Sequence, residues 1–372
     1  MKEIIRWARR EAVLSAAALL AAGSMALVRP DREYAGYVDF RTLGLLFCLM
    51  AVMAGFQKLG VFERAGRLLV RRASSPRQTA AVLVGLCFFS SMAVTNDVAL
   101  ITFVPFALTV LAMAGLEDMA VAVVVLQTLG ANLGSMLTPF GNPQNLYLYS
   151  GSGMTAGEFA GLMLPYWGLS LALLAACLFF VGRGPALRLA LEPAGGRIGL
   201  GLAGMYGLLF FMCIAVVAGG LPWEPVFAVT AGAVFIADRA VLKRVDYSLL
   251  ATFFCFFIFV GNIGRIPAFR ELLAQAVEGR EALIAVAASQ IISNVPAALL
   301  LSGFTERWDA LAVGTNLGGL GTLIASMASL ISYQSIASRC PKKRGAYLFW
   351  FTAANLGFLA CLLALFGILE YV

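Results

Sequence analysis

Long apolar runs alternate with short basic loops along the chain, and this pattern predicts nine membrane-crossing segments. A helix needs about 20 residues to cross a hydrocarbon core of about 30 Å. The predicted segments are residues 12–28, 41–57, 118–149, 157–182, 198–217, 223–242, 247–262, 307–337 and 346–368. Two further apolar regions, 78–113 and 281–304, carry polar residues at their centres and are predicted to be re-entrant hairpins. The expected fold class is all-α, a polytopic membrane protein.

Segment 118–149 is predicted to be a broken helix. Pro139, Gly141 and Pro143 fall within five positions. Proline removes a backbone donor and disfavours helix in the residue before it. Unwound backbone at membrane depth is tolerated only where protein buries it or a water-filled cavity meets it. A broken helix with amides at the break is typical of a transporter's binding site. The polar side chains at this break are Thr138, Asn142, Gln144 and Asn145.

Segment 307–337 repeats this pattern at a shift of 184 positions. The GxNLG run at 130–134 aligns with 314–318, so Asn132 matches Asn316, and Thr138 matches Thr322. Ser326 and Ser329 lie at the second break as weaker candidates.

The two hairpin tips also match, with Thr95-Asn96 in the first and Ser293-Asn294 in the second. Five predicted crossings separate the starts of the two copies, and an odd number inverts the second copy. The sequence therefore predicts inverted-topology repeats in residues 1–182 and 183–372, an arrangement found in many secondary transporters. The amphipathic pieces 61–72 and 266–280 are predicted to lie in the membrane interface.

Composition and charge support a membrane protein. The chain is 61% hydrophobic and 13% charged, whereas soluble domains are about a quarter charged. The net charge of +7 reflects basic loops rather than nucleic-acid binding. With the N-terminus in the cytoplasm, 20 basic residues lie inside and 7 outside, as the positive-inside rule requires. The C-terminus is then on the outer face of a bacterial-type inner membrane. A signal peptide is the alternative interpretation of run 12–28.

The residue inventory argues against an enzyme. The chain has no His, its seven Cys form no CxxC, and it contains no GxxxxGK[ST] run. These absences predict no metal cluster, no disulfide framework and no ATP site. No cofactor is expected beyond Na⁺ or H⁺ as a coupling ion.

Asp97 is the one clear acid deep in an apolar segment, and intramembrane acids are costly and usually functional. We expect it to bind a coupling ion or carry a proton; the alternative is a hairpin cap. Each tip is predicted to attract an anion through free N–H groups and the dipole of a helix N-terminus. Each tip is also predicted to offer carbonyl and side-chain oxygens that suit Na⁺. Possible Na⁺ ligands are Asn96, Asp97 and Asn294, although the two Asn residues could instead be interhelical clamps. The candidate site residues are Thr95, Asn96, Asp97, Asn132, Thr138, Gly141, Asn142, Asn145, Ser293, Asn294, Asn316, Thr322 and Ser326.

Four motifs together resemble the ion transporter superfamily of arsenite permeases, citrate and dicarboxylate transporters and sodium/proton antiporters. They are VTNDVALITFVPF (94–106), NLGSMLTPFGNPQN (132–145), SQIISNVPA (289–297) and GTNLGG (314–319). The resemblance is greatest to the anion-permease branch, which includes the arsenite permeases and bacterial inner-membrane members. It implies a homodimer in which a transport domain slides against a scaffold like an elevator.

In the dicarboxylate members, a Ser-Asn-Thr motif at each tip binds Na⁺ and substrate carboxylates. Here the third position is Asp97 in one copy and Val295 in the other. This departure argues against dicarboxylate recognition and fits a proton carrier or a stronger cation ligand.

These observations favour an ion-coupled secondary transporter for a small anion or oxyanion. A Na⁺/H⁺ antiporter and an arsenite or antimonite efflux permease remain as alternatives. The expected partners are a small anionic substrate, the lipid bilayer and a second copy of the chain, without nucleic acid.

Overall fold

The computed structural model describes residues 11–182 and 199–370, and the regular structure within these ranges is entirely helical. Eight of the described helices are long and apolar enough to cross a membrane. The predicted all-α, multi-pass fold class is confirmed. Several basic residues of the topology argument, and both chain ends, fall outside the described ranges. These basic residues are Lys2, Arg6, Arg9, Arg10, Arg183, Arg188 and Arg197.

Nine α-helices lie in residues 11–182, the described part of the first half. They are α1 (Ala12–Leu27), α2 (Tyr34–Tyr37), α3 (Phe40–Lys58), α4 (Val61–Val70), α5 (Pro76–Val94), α6 (Asn96–Met113), α7 (Ala120–Gly134), α8 (Pro143–Ser152) and α9 (Ala156–Phe180). The predicted hairpin turn therefore falls at Thr95, and the predicted break in segment 118–149 separates α7 from α8.

The described part of the second half contains ten α-helices. They are α10 (Leu200–Val217), α11 (Trp223–Ala237), α12 (Arg239–Leu242), α13 (Tyr247–Gly264), α14 (Pro267–Val277), α15 (Glu281–Ile292), α16 (Asn294–Leu301), α17 (Trp308–Gly318), α18 (Met327–Arg339) and α19 (Arg344–Glu370). The second predicted break separates α17 from α18. The amphipathic pieces form α4 and α14.

Side-chain caps fix the starts of several helices. Asp39 accepts a hydrogen bond of 3.0 Å from the Thr42 N–H at the start of α3. Asp246 accepts one of 2.9 Å from the Leu249 N–H at the start of α13. Such caps satisfy backbone donors that have no partner inside the helix. The matched caps give α3 and α13 equivalent starting points.

The two hairpins differ in the lengths of their arms. The arms of the first, α5 and α6, have 19 and 18 residues, and each is long and apolar enough to cross a membrane. The arms of the second, α15 and α16, have 12 and 8 residues. The re-entrant path of both hairpins stays a prediction.

Segment 223–242 is divided, although the sequence predicts one helix there. α11 ends before Asp238, whose backbone is non-helical at φ −156° and ψ 67°. The Asp238 carboxylate accepts hydrogen bonds from Lys58 Nζ at 2.6 Å and from the Tyr206 hydroxyl at 3.3 Å. These partners hold the acid away from the helical path, and α12 begins after it.

Glycines allow the first arm of each hairpin to pack closely on a broken helix. A Cβ at Gly134 of α7 would lie 1.9 Å from the Phe88 carbonyl oxygen of α5. A Cβ at Gly318 of α17 would lie 2.5 Å from the Ser289 hydroxyl of α15. Both α7 and α17 are almost completely buried. The two broken helices therefore lie in the core, each with a hairpin against it.

Candidate substrate and ion site

The two hairpin tips share a strained backbone. Thr95 has φ 70° and ψ 150°, and Ser293 has φ 73° and ψ 155°. They are the only non-glycine residues with positive φ among those that the structure describes. This region is essentially restricted to glycine, and occupying it costs about 1–3 kcal/mol per residue. Strain of this kind clusters at functional sites, because surrounding contacts must hold it in place.

Each tip is bound to the break of the neighbouring helix pair. The Asn96 N–H donates to the Gly141 carbonyl at 3.1 Å, and the Asn294 N–H donates to the Ala325 carbonyl at 3.0 Å. The sequence predicts that the N–H groups of the tips are free to bind an anion. These two are not, because the unwound carbonyls of the breaks need donors in the protein interior.

Threonine hydroxyls reinforce both tip–break contacts. Thr138 Oγ1 donates to the Met92 carbonyl at 2.5 Å, and Thr322 Oγ1 donates to the Gln290 carbonyl at 3.1 Å. Gly141 also has a packing role, because a Cβ there would lie 2.0 Å from the Ser135 carbonyl oxygen. The candidates Thr138, Gly141 and Thr322 therefore hold the backbone of the tips and breaks.

Asn132 of α7 binds the second break. Its Oδ1 accepts hydrogen bonds from Asn96 Nδ2 and Ser326 Oγ, both at 3.1 Å. Its Nδ2 donates a hydrogen bond to Ser329 Oγ at 3.4 Å. All of these side chains are buried or nearly so. Asn132 thus connects the first tip with the second break.

Asn316 of α17 binds the first break in the same way. Its Oδ1 accepts a hydrogen bond from Asn142 Nδ2 at 3.2 Å, and its Nδ2 donates to Asn145 Oδ1 at 2.6 Å. The shift of 184 positions relates Asn142 to Ser326 and Asn145 to Ser329. Each central asparagine therefore contacts the break of the other copy, and the inverted arrangement of the two copies stays a prediction.

The asparagines at the centre satisfy one another. Asn145 Nδ2 also donates to the carbonyls of Ser135, Met136 and Thr138 at 3.2–3.4 Å. Asn96 Oδ1 accepts a hydrogen bond from the Asp97 N–H at 3.0 Å. Buried polar groups need such partners. The clamp interpretation of Asn96 therefore has direct support, and its ion-binding role stays a prediction.

A cavity of about 130 Å³ lies beside the first tip. The candidate residues Thr95, Asp97 and Asn142 line it from the hairpin and the break. The Asp97 side chain is half-buried and has no hydrogen bond or ion pair to any residue that the structure describes. The cavity thus presents an unpaired carboxylate beside a strained tip. Its other lining residues are Leu46, Leu49, Met50, Ala54, Gln57, Val98, Phe140, Pro143, Leu146, Arg244, Asp246 and Leu249.

The second tip does not reach this cavity. Ser293, Asn294 and Ser326 are buried outside its lining, and Thr322 is exposed elsewhere. Gln290 closes the second break, because its Nε2 donates to the carbonyls of Gly318 and Leu320 at 3.0 and 2.9 Å. The structure therefore brings together the first tip and the first break, but not both tips, around one cavity.

Three polar residues of the cavity are absent from the sequence-based candidates. Gln57 lies at the end of α3, and Arg244 and Asp246 lie between α12 and α13. Arg244 is assigned from sequence to a basic inner loop, and no local motif marks it as a cavity residue. The cavity consequently contains two acids and one arginine. The described residues contain no cluster of three or more His, Cys, Asp or Glu that could hold a metal ion.

A family model described as citrate transporter matches residues 4–305, which include both hairpins and the first break. The chain belongs to the citrate transporter family. Inner membrane protein YbiR of Escherichia coli is 32% identical over 83% of each chain. Uncharacterized transporter MJ0456 of Methanocaldococcus jannaschii is 28% identical over 79% of this chain and 80% of its own. Silicon efflux transporter LSI3 of Oryza sativa is 32% identical over 41% of this chain and 31% of its own. This member of the family is therefore a membrane transporter.

Proposed function

We propose that the protein is a secondary active transporter that moves a small anion or oxyanion across the membrane, coupled to Na⁺ or H⁺. The observation that carries this proposal is that Asp97 and Arg244 both line one cavity. The acid suits a cation or a proton, and the guanidinium suits an anion. Family membership and the strained first tip add support.

Each polar residue of the cavity has a role in this proposal. Asp97 takes up Na⁺ or a proton, which offsets part of the substrate's negative charge. Thr95 supplies a hydroxyl at the tip, and Arg244 meets the anion from the opposite wall. With the N-terminus in the cytoplasm, Arg244 and the loop after Gln57 face the cytoplasm, so the cavity is the inward-open binding site.

The proposed movement follows from the packing. The Asn132 and Asn316 contacts join the first hairpin to both broken helices, and the bond from the Asn294 N–H to the Ala325 carbonyl adds the second hairpin. We call this assembly the transport unit. Helices α1, α3, α11 and α13 form a second unit, the scaffold. The short helices α4 and α14 link the two units. Sliding of the transport unit against the scaffold would carry the cavity across the membrane, in a homodimer or in each copy alone.

Uptake into proteoliposomes tests the proposal. Radiolabelled citrate, sulfate and arsenite are offered separately under an imposed Na⁺ or pH gradient. Wild type is expected to accumulate at least one of them, and Asp97→Asn is expected to abolish the gradient dependence. Asp118→Asn is the matched control, because Asp118 is a fully exposed acid that does not line the cavity. Wild-type uptake and pH dependence in Asp97→Asn would remove Asp97 from the coupling mechanism.

A Na⁺/H⁺ antiporter is the second candidate, and the presence of both Asp97 and Asp246 at the cavity favours it. A pH gradient alone would then drive Na⁺ movement without any organic anion. The rice relative's name supports an efflux direction, and the arsenite or antimonite alternative predicts that expression raises resistance of a sensitive strain. If the protein instead takes up an anion with Na⁺ or H⁺, we expect neither Na⁺ movement driven by a pH gradient alone nor raised resistance of the strain.

A further inference from the structure

Two ion pairs of the scaffold are related by the same shift along the chain. At the end of α3, Lys58 Nζ lies 2.6 Å from Asp238 Oδ1. At the end of α13, Arg265 Nη1 lies 2.7 Å from Asp31 Oδ2. A shift of 207 positions relates Lys58 to Arg265 and Asp31 to Asp238. The same shift relates the capping residues Asp39 and Asp246 at the starts of α3 and α13. We call the two ion pairs the inner and outer clamps.

A tyrosine and a glycine complete each clamp. The Tyr206 hydroxyl donates to Asp238 at 3.3 Å. The Tyr206 ring packs on Gly55 of α3, where a Cβ would lie 2.2 Å from the ring carbon Cζ. In the outer clamp, Arg265 donates to the Tyr37 hydroxyl at 3.1 Å. The Tyr37 ring lies 2.3 Å from the Cβ position of Gly261 on α13. Both helices therefore carry a glycine near the end to admit a tyrosine ring.

Each clamp joins the two halves of the chain. The inner clamp ties α3 of the first half to the residue after α11, and α3 packs along α11. The outer clamp ties α13 of the second half to the loop after α1, and α13 packs along α1. An Asn262 Nδ2 bond of 2.9 Å to Ser24 Oγ strengthens the second contact. By the charge distribution of the loops, the two clamps lie on opposite membrane faces.

The clamps lie where the linking helices leave the scaffold. Lys58 is the last residue of α3, and α4 begins at Val61 after Gly60, which has φ 67°. Arg265 directly follows α13, and α14 begins at Pro267. We propose that the two clamps hold these helix ends in place while α4 and α14 change direction, so that their residues are positioning residues for transport. This inference rests on the proposed function.

The two clamps differ in burial. Asp238 is 5% exposed, so removing Lys58 leaves a buried carboxylate without its charged partner, which is strongly destabilising. The outer pair is more exposed, at 34% for Arg265 and 40% for Asp31. A hydrogen bond from Arg265 holds the pKa of the Asp31 carboxyl below its ordinary value, so the outer pair is ionised at neutral pH. Exposed pairs add little stability, so variants of the outer clamp are expected to fold.

Four variants test the inference. Two remove a basic residue, Arg265→Met and Lys58→Met. Two exchange the charges of a pair, Arg265→Asp/Asp31→Arg and Lys58→Asp/Asp238→Lys. Arg67→Met is the matched control, because Arg67 pairs with Glu63 inside α4 at 2.9 Å and joins no second helix. Hydrogen exchange is measured across residues 59–70 and 266–277 in the purified full chain. Uptake of citrate, sulfate and arsenite is measured in proteoliposomes.

Arg265→Met is expected to raise exchange at the start of α14 and to lower the maximal uptake rate, each by about fivefold, without changing KM. The charge exchange restores both values, and Arg67→Met changes neither. A purely structural role would raise exchange throughout the chain, whereas a positioning role raises it at the start of α14. Lys58→Met has the same effect on α4 if it folds.

Two results would overturn the inference. One is wild-type exchange at α14 together with wild-type uptake in Arg265→Met. The other is a folded charge exchange that restores neither value. If wild type moves none of the three anions, the proposed function fails for these substrates, and the exchange data alone decide on the clamps.

Discussion

Thr95 and Ser293 adopt a backbone conformation that glycine accepts at little cost, yet both are hydroxyl residues. A glycine would relieve about 1–3 kcal/mol of strain at each position. Thr95 lines the cavity, and the Ser293 hydroxyl donates to the Ala325 carbonyl at 3.4 Å. The hydroxyl must therefore matter more at these positions than local stability does.

Thr95→Gly tests this trade between strain and function. We expect it to raise the free energy of unfolding by about 1 kcal/mol and to abolish gradient-driven uptake, because strain is relieved and the cavity loses a hydroxyl. Thr95→Ser keeps both features and serves as the control with wild-type behaviour. The measurements are thermal unfolding in detergent and proteoliposome uptake. A destabilised Thr95→Gly protein would show that the tip is not strained.

Asn132→Ala is expected to lower the free energy of unfolding by about 1–3 kcal/mol, because Asn96, Ser326 and Ser329 lose a buried partner. Asn355→Ala is the control, since that buried side chain makes one hydrogen bond, to a carbonyl of its own helix. Denaturation of both variants in detergent provides the comparison. Equal losses of stability would mean that the network contributes nothing beyond an ordinary buried amide.

Sequence reasoning identified the residues of the centre better than their roles. The repeated GxNLG run predicts Asn132 and Asn316 as site residues, and the structure places both at the interface between the copies. The asymmetry of the tips was not predictable, because it depends on Gln290, whose counterpart in the first hairpin is Met92. Arg244 was missed because its role depends on a fold that brings a loop to the first tip.

At the scale of the elements, closely packed glycines set the distance between each hairpin and its broken helix. Gly134→Ala would place a Cβ 1.9 Å from a backbone oxygen of α5. We expect a loss of about 1–3 kcal/mol in the free energy of unfolding, as overpacking usually causes.

Gly168→Ala in α9 is the matched control for Gly134→Ala, because nothing lies within 4 Å of its Cβ position. It should stabilise the helix by about 0.5–1 kcal/mol, the usual difference between Gly and Ala. Thermal unfolding of the two variants gives the comparison. A gain of stability in both variants would contradict the close packing of α5 on α7.

Local chemistry explains which elements the sequence predicts. The first break follows from Pro139 and Pro143, whereas the second contains no proline and was predicted through the repeat alone. The interruption at Asp238 was not predicted, because its partner Lys58 lies 180 positions away. Breaks that arise from distant partners leave no local signal in the chain.

At the scale of the whole molecule, the loop charges predict the orientation in the membrane. Alkaline phosphatase fused after Glu370 is expected to be active, because the C-terminus should face outward, where the enzyme folds. A fusion after Lys342, in a basic loop, should be inactive and serves as the control. Colonies of a bacterial host on a chromogenic substrate report the result. The opposite pattern would reverse the topology and place the cavity on the outer side.

The unequal hairpins have a consequence for the resting state of the carrier. In the proposed mechanism, two identical inverted halves would relate the inward-open and outward-open forms by a two-fold rotation in the membrane plane, and the forms would have the same free energy. Here one hairpin has arms of 19 and 18 residues and the other arms of 12 and 8. Exchanging their positions cannot reproduce the same packing, so the two forms differ in free energy and one is more populated without substrate. In this mechanism the chain therefore prefers one of the two forms at rest, whereas the substrate and ion gradients set the direction of net transport.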